Sequence, residues 1–375
     1  MRAIPLPSAE DVLLQPPDRA EAELLAGGVC AAVEPAGGLT QLQRMVIHAL
    51  FESMTGHVVD LDAMPRKSPL ELATGLTRRN LEFRTRIAQV MLLGELVLTD
   101  VPEEVRARVD EYQYALGTDP LLMADTRAAT HESLGFALLD FARNGYSAQW
   151  SPGDFPLHTS SALAQAWEGS ADDPDLAARW MALGDCQTGS LGRMVWRFYR
   201  NRGFVFPGRP GSAPPLLAQH DWVHVLAGYG AALENEVEVF SFIGRSIPDP
   251  RGFSLLAMVI SLFETGTVAD AAGLFEASAG HISSDMSAMS LRLADAMRRG
   301  ALCGKDLMRT DWFAHADQPI DDVRADFGIV PKSAAVQAIG SPTAWDPAGI
   351  TPYQLRNGAA LAEAEGRAYD PLGMD

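Results

Sequence analysis

Residues 219–236 of the chain are QHDWVHVLAGYGAALENE, and this stretch dictates how the surrounding chain folds. His220 and His224 are four residues apart, so on a helix their imidazoles lie on one face, about one turn apart. On a straight helix Glu236 would lie roughly 24 Å from His220, at about 1.5 Å per residue. Two glycines separate the histidines from the glutamate, and glycine tolerates backbone geometries that other residues resist. The stretch therefore predicts a helix, a glycine turn and a second helix that returns Glu236 to the histidines.

The polar side chains of this stretch form a candidate site for a divalent metal ion. Two histidines at this spacing are the arrangement that metalloproteases with an HExxH helix use. Asp221 can add a carboxylate oxygen or can orient another ligand. Together with His220, His224 and Glu236 it gives two nitrogen and two carboxylate donors. This set suits zinc best, with iron, cobalt or manganese as alternatives.

Other interpretations of the same residues remain open. A histidine pair at this spacing also occurs on solvated helix faces, where it binds nothing. Trp222 and Tyr229 flank the motif and are candidate contacts for an aromatic substrate, with buried packing as the alternative. The turn that would return Glu236 to the histidines is expected at Gly228 and Gly230.

The hydrophobic pattern predicts an all-α fold, because helical spacing is frequent and strand alternation is nearly absent. Leu39, Leu42, Val46, Leu50 and Met54 form one helical stripe. Residues 81–97 predict a second buried helix, and Asp100 is the predicted N-cap of a third. The predicted organisation is an N-terminal extension (1–36), a helical bundle domain (37–152), an all-helical metal-binding domain (153–331) and a loosely packed C-terminal tail (332–375).

Composition excludes several classes of protein. The 375 residues carry a formal net charge of −18, which disfavours nucleic acid as a partner. Three widely spaced cysteines predict neither a disulfide framework nor a cysteine metal site. The N-terminus lacks the apolar run of a secretory signal, and no apolar run approaches the roughly 20 residues of a membrane span. The expected location is the cytoplasm, with peripheral membrane association as an alternative.

From about Leu183 to Pro331 the chain resembles the coenzyme Q (ubiquinone) biosynthesis protein four family, whose hallmark is an HDxxH-x11-E motif. The resemblance continues on both sides of the motif, in residues 189–193, 198–204, 296–300, 306–308, 311–312, 318–321 and 323–329. It implies an all-helical domain in which His220, Asp221, His224 and Glu236 hold a divalent metal. The first domain lies outside it and is similar to a TerB-type helical module.

The resemblance also implies an activity, namely decarboxylation and hydroxylation on the ring of a prenylated quinone precursor. The expected partners are a hydrophobic aromatic or prenylated small molecule, other proteins of a biosynthetic assembly and a second copy of the chain. A prenyl tail needs an apolar channel, which residues 253–263 and 237–243 would line unless they are ordinary core. The segment Val225–Ala231 differs from the turn that family members often have, which leaves the substrate open.

Two other functions compete with this enzyme activity. One is a noncatalytic lipid-binding scaffold in which the metal only organises a helix pair. The other is a metal-dependent hydrolase of the HD class, which is disfavoured because the sequence offers no further His and Asp at a recognisable spacing.

Overall fold

The structure is a computed structural model that describes residues 16–98, 101–121, 124, 127, 173–210, 212, 215–247, 256, 259–260 and 286–373. The regular elements in this part of the chain are helices, so the predicted all-α fold is confirmed. In chain order they are α1 (Arg19–Val33), α2 (Gln41–Thr55), α3 (Pro69–Gly75), α4 (Leu81–Leu96), α5 (Glu103–Leu116), α6 (Pro174–Ala182), α7 (Leu191–Arg202), α8 (Pro215–Ala227), α9 (Leu233–Ser246), α10 (Met286–Cys303), α11 (Ile320–Asp326), α12 (Ala334–Ala338) and α13 (Pro352–Ala364). None of these helices combines the length and apolar composition that a membrane span requires.

The chain divides into two compact units that are not consecutive in sequence. Unit 1 comprises Met1–Ser133 and Phe240–Gly304, and unit 2 comprises Leu134–Val239 and Lys305–Asp375. The sequence-based division placed residues 240–304 in the second domain, whereas α10 and the other described residues of this range belong to unit 1. The predicted boundary near Gly153 lies outside the described residues. A single hydrophobic stretch does not reveal which neighbour will bury it, and this is why the sequence suggested a consecutive division.

Unit 1 is built around α1, α2, α4 and α10. Helix α2 packs along α10, and α1 contacts both α4 and α5. The five apolar residues that predicted α2 are all buried. Inside this core Gln43 donates from Nε2 to the carbonyls of Val33 (2.8 Å) and Gly94 (2.9 Å), so one buried amide links three helices.

One prediction for unit 1 is wrong. The predicted N-terminal extension over residues 1–36 contains α1, which lies in the core, with Leu25 and Val29 almost fully buried. The helix was missed because it presents small residues to its neighbours: a Cβ on Gly28 would lie 2.7 Å from a methyl of Leu72. Helix α5 begins at Glu103 after Pro102, which provides no side-chain cap. The predicted N-cap at Asp100 lies outside the described part of the chain.

Unit 2 is organised by α7, which packs against α8 and α13. Ser190 caps α7 by accepting a hydrogen bond from the Arg193 amide, and Gly203 ends it in the left-handed region at φ 68°. An aromatic cluster fills the space beside α7 and α8. Its members are Trp180, Tyr199, Trp222, Trp312, Phe313 and Phe327.

The prediction of a loosely packed tail after Pro331 is wrong. Helices α12 and α13 belong to unit 2, and Val336, Gln354 and Ala362 are at most 1 % exposed. Buried Lys332 donates to the Ser341 hydroxyl (2.8 Å) and to the Pro342 carbonyl (3.0 Å). Much of this packing uses polar groups and glycine contacts, which leave no apolar periodicity in the sequence.

Candidate metal centre

The turn between α8 and α9 has the form that the sequence predicted. Gly228 follows the last residue of α8 with a φ of +76°, and its amide donates to the His224 carbonyl at 3.0 Å. Such a left-handed residue ends a helix at low cost only if it is glycine. Gly230 is needed for a different reason, because a Cβ there would lie 2.5 Å from the Cα of Gly349. One glycine therefore reverses the chain, and the other admits a neighbouring segment.

This turn brings the four predicted site residues together. The ligand atoms of His220, Asp221 and His224 all lie within 4.8 Å of one another. The Oε2 atom of Glu236 lies 3.2 Å from His224 Nε2 and 3.5 Å from His220 Nε2. All four side chains are at most 1 % exposed. The convergence is thus a property of the fold, and the role of these residues as metal ligands stays a prediction.

His224 is held so that Nε2 faces the centre. Its Nδ1 lies 2.7 Å from the Gly230 carbonyl oxygen. A carbonyl can only accept, so Nδ1 carries the proton of this bond. The ring also stacks on Phe198, with centroids 5.6 Å apart and planes 24° apart. Histidines that bind metals are commonly fixed by such a bond at the other ring nitrogen.

Asp221 is oriented by a residue to which sequence analysis gave no role. The hydroxyl of buried Tyr199 donates to Asp221 Oδ2, while Oδ1 lies 3.7 Å from His220 Nε2. Tyr199 lies on α7, and no spacing in the sequence links it to the motif on α8. Its only signal was its position in one of the segments that carried the family resemblance.

The pKa of Glu236 lies well below its ordinary value of 4.5. Burial raises this pKa, but the charge on His224 and the hydrogen bonds from His220 and His224 outweigh the effect of burial. The carboxylate form is therefore favoured at neutral pH, and this is the form that binds a metal.

The donor set fits a divalent ion. Two neutral imidazoles and two carboxylates carry a charge of −2, which a divalent cation balances. Buried carboxylates are costly unless they are paired with positive charge or coordinate a metal. Zinc accepts nitrogen and oxygen ligands of these types in tetrahedral sites.

The two predicted substrate contacts lie in packed surroundings. Trp222 is 1 % exposed and has its ring centroid 5.4 Å from that of Trp180. Tyr229 is also 1 % exposed, with the Lys332 ammonium 4.5 Å from the centre of its ring. The candidate channel residues 237–243 are buried on α9, and of residues 253–263 the described ones, at 256, 259 and 260, are buried as well. These positions match core packing, and a substrate role for them stays a prediction.

Comparisons with known proteins add no identification: no family model matches the chain, and neither a curated protein nor a solved structure matches it. The resemblance to the ubiquinone biosynthesis protein four family therefore rests on the motif and its flanking segments.

Proposed function

We propose that the chain is a metalloprotein that binds one divalent ion, zinc first among the candidates, through His220, Asp221, His224 and Glu236. One observation carries the proposal: the ligand atoms of His220, Asp221 and His224 lie within 4.8 Å of one another, and Glu236 on the next helix places Oε2 3.2 and 3.5 Å from the two imidazoles, with all four side chains buried. Two buried carboxylates are stabilised by positive charge beside them, which can come from a protonated imidazole or from a bound cation. A divalent cation supplies that charge and satisfies all four donors.

The resemblance supports a substrate class, a quinone-like or other hydrophobic aromatic molecule, and a reaction class, decarboxylation or hydroxylation of its ring. A bound divalent ion supplies Lewis-acid chemistry, which stabilises negative charge developing on a carboxylate or phenolate. The chain would orient the side chains that hold this ion. The Gly230 carbonyl fixes His224, and the Tyr199 hydroxyl fixes Asp221. Both contacts are buried.

The metal content of purified variants tests this proposal. Wild-type protein should contain about one ion per chain, and His224→Ala should lose most of it, because three remaining donors bind far more weakly than four. His57→Ala is the control, since His57 lies in unit 1 outside the motif. Equal metal in wild type and His224→Ala, by elemental analysis of folded protein, would refute metal binding at this site. Mass spectrometry of molecules that copurify with wild type then tests the substrate class, for which an aromatic head with an isoprenoid tail is expected.

A noncatalytic function is the second candidate, and the burial of all four donors favours it. Structural zinc sites are closed by four protein ligands, whereas catalytic sites keep one position open. In this case the ion would organise α8 and α9 in a scaffold that binds lipid or partner proteins. Metal removal distinguishes the two functions. Chelating a structural ion should lower the Tm of the protein. Chelating a catalytic ion should abolish turnover with a smaller fall in Tm.

A further inference from the structure

The peptide unit that joins Gly230 to Ala231 links the candidate metal site to the C-terminal segment. Its carbonyl accepts from His224 Nδ1 at 2.7 Å, and its N–H donates to the Gly349 carbonyl at 2.8 Å. The described peptide bonds are trans, so the N–H and C=O of this unit point in opposite directions. The bond to Gly349 on one side therefore aims the Gly230 carbonyl at His224 on the other.

The same loop is held at two further points by the C-terminal segment. The Gly230 amide donates to the Pro342 carbonyl at 3.1 Å, and Gln354 Nε2 donates to the Ala231 carbonyl at 2.9 Å. Gln354 is fully buried. The loop thus has little freedom to rotate the carbonyl away from His224 while residues 342–354 stay in place.

Arg202 binds residues 344–349, the segment that fixes the turn at Gly230 and Ala231. The side chain is fully buried at the end of α7, and Nη2 donates to the carbonyls of Ala344 (2.9 Å) and Gly349 (3.1 Å). Its guanidinium carbon also lies 3.9 Å from the ring centre of Phe198, which stacks on His224. Arg202 therefore acts on His224 by two routes, through the Gly349 carbonyl and through the face of Phe198.

We propose that Arg202 is a positioning residue of the metal site, which fixes the tautomer and ring orientation of His224 through Gly349 and Phe198. The proposal rests on the proposed function, since it concerns how tightly an ion is held there. Partners of metal ligands typically change metal affinity by about 10–100-fold when they are removed. On this proposal, residues 344–349 also help to position His224.

Zinc affinity of purified full-length protein, from competition with a chromophoric chelator, tests this inference. Arg202→Met should bind zinc about 10-fold more weakly than wild type, at the lower end of the range for residues that bond a metal ligand directly. Asn201→Ala is the matched control: Asn201 is adjacent on α7, is buried, and donates to the carbonyls of Pro371 and Gly373, which lie outside residues 342–354. Asn201→Ala should lower the free energy of unfolding but bind zinc as tightly as wild type. In cobalt-loaded protein the visible absorption bands should change in Arg202→Met and not in Asn201→Ala.

Each other outcome has a defined meaning. Equal weakening in Arg202→Met and Asn201→Ala would show general destabilisation and would overturn the proposal, as would wild-type affinity in folded Arg202→Met. If Arg202→Met does not fold by circular dichroism, Arg202→Lys replaces it, because a lysine keeps the charge but cannot reproduce the planar fork. Weaker zinc binding by Arg202→Lys supports the proposal, and unchanged binding overturns it. If wild type binds neither zinc nor iron, cobalt or manganese, the proposed function itself is refuted.

Discussion

Replacing Glu236 by glutamine tests the contribution of one carboxylate to the site with little change in shape. Glutamine has nearly the volume of glutamate, so packing around α9 should survive the change. The amide removes the negative charge from the atom that lies 3.2 Å from His224 Nε2 and 3.5 Å from His220 Nε2. The main expected loss is therefore in metal affinity.

The size of this loss follows from the number of ligands. Zinc binding at structural sites is worth about 10–16 kcal/mol, so an equal share among four ligands is about 2.5–4 kcal/mol each. Since each 1.4 kcal/mol is about tenfold in affinity, Glu236→Gln should bind zinc roughly 100–1,000-fold more weakly. At a zinc concentration of about 100 times the wild-type Kd, the ion stabilises the wild type by about 2.7 kcal/mol. At 100-fold weaker affinity the same concentration stabilises the variant by only about 0.4 kcal/mol.

Thermal unfolding with and without zinc measures this difference. For a unit of this size about 1 kcal/mol corresponds to roughly 2–4 °C, so zinc should raise the wild-type Tm by about 5–11 °C and the Tm of the variant by about 1–2 °C. Each protein is compared with its own metal-free form, which removes the effect of the substitution on the apo protein. Glu234→Gln, a half-buried glutamate in the same first turn of α9, is the control. A full zinc effect in Glu236→Gln, or an equal loss in Glu234→Gln, would refute the assignment of Glu236.

Three further predictions concern other contacts. Tyr199→Phe removes the hydroxyl that orients Asp221 and should weaken zinc binding about 10–100-fold, as measured by chelator competition, with folding retained. Gln43→Leu leaves two buried carbonyls of unit 1 without their donor and should lower the free energy of unfolding by about 2–4 kcal/mol in urea; less than about 0.5 kcal/mol would contradict this. The hydrogen bond from Arg66 lowers the pKa of Glu34 below 4.5, so the stability from this pair is present above pH 4.5 and is lost as pH falls through the lowered pKa. The stability difference between wild type and Glu34→Gln, at most about 1 kcal/mol for a partly exposed pair, should therefore shrink in acid and not in base.

The sequence predicted those parts of the fold and site that depend on local spacing. Helices α2 and α4 carry apolar residues at helical intervals, and the structure has both of them. The return of Glu236 to the histidines was predictable because a straight helix would separate them by roughly 24 Å. A glycine at φ +76° then provides the turn.

The parts that could not be predicted depend on contacts between distant residues. Helix α1 buries glycine and alanine on several sides and carries only a short stripe of larger apolar residues, Leu25, Val29 and Val33, so its apolar pattern is weak. The segment after Pro331 is held by buried polar groups such as Lys332 and Gln354, whose partners are turn carbonyls. Sequence spacing does not predict which backbone carbonyl will accept a hydrogen bond from a buried side-chain donor. Tyr199 was missed for the same reason.

Whether Asp221 coordinates the ion distinguishes the two candidate functions. Zinc in a closed site is four-coordinate, so an ion that takes His220, His224, Glu236 and Asp221 has no position left for a substrate. Asp221 differs from the other three because its Oδ2 already accepts the hydrogen bond of Tyr199, and only Oδ1 is directed towards His220, at 3.7 Å. If Asp221 stays in this hydrogen-bonded role, three protein ligands hold the ion, and the fourth position can accept water or a ring carboxylate. X-ray absorption of the zinc-loaded protein counts these ligands. The same spectrum in wild type and Asp221→Leu, which offers no donor atom, would indicate the three-ligand site, and loss of one oxygen neighbour would indicate the closed one.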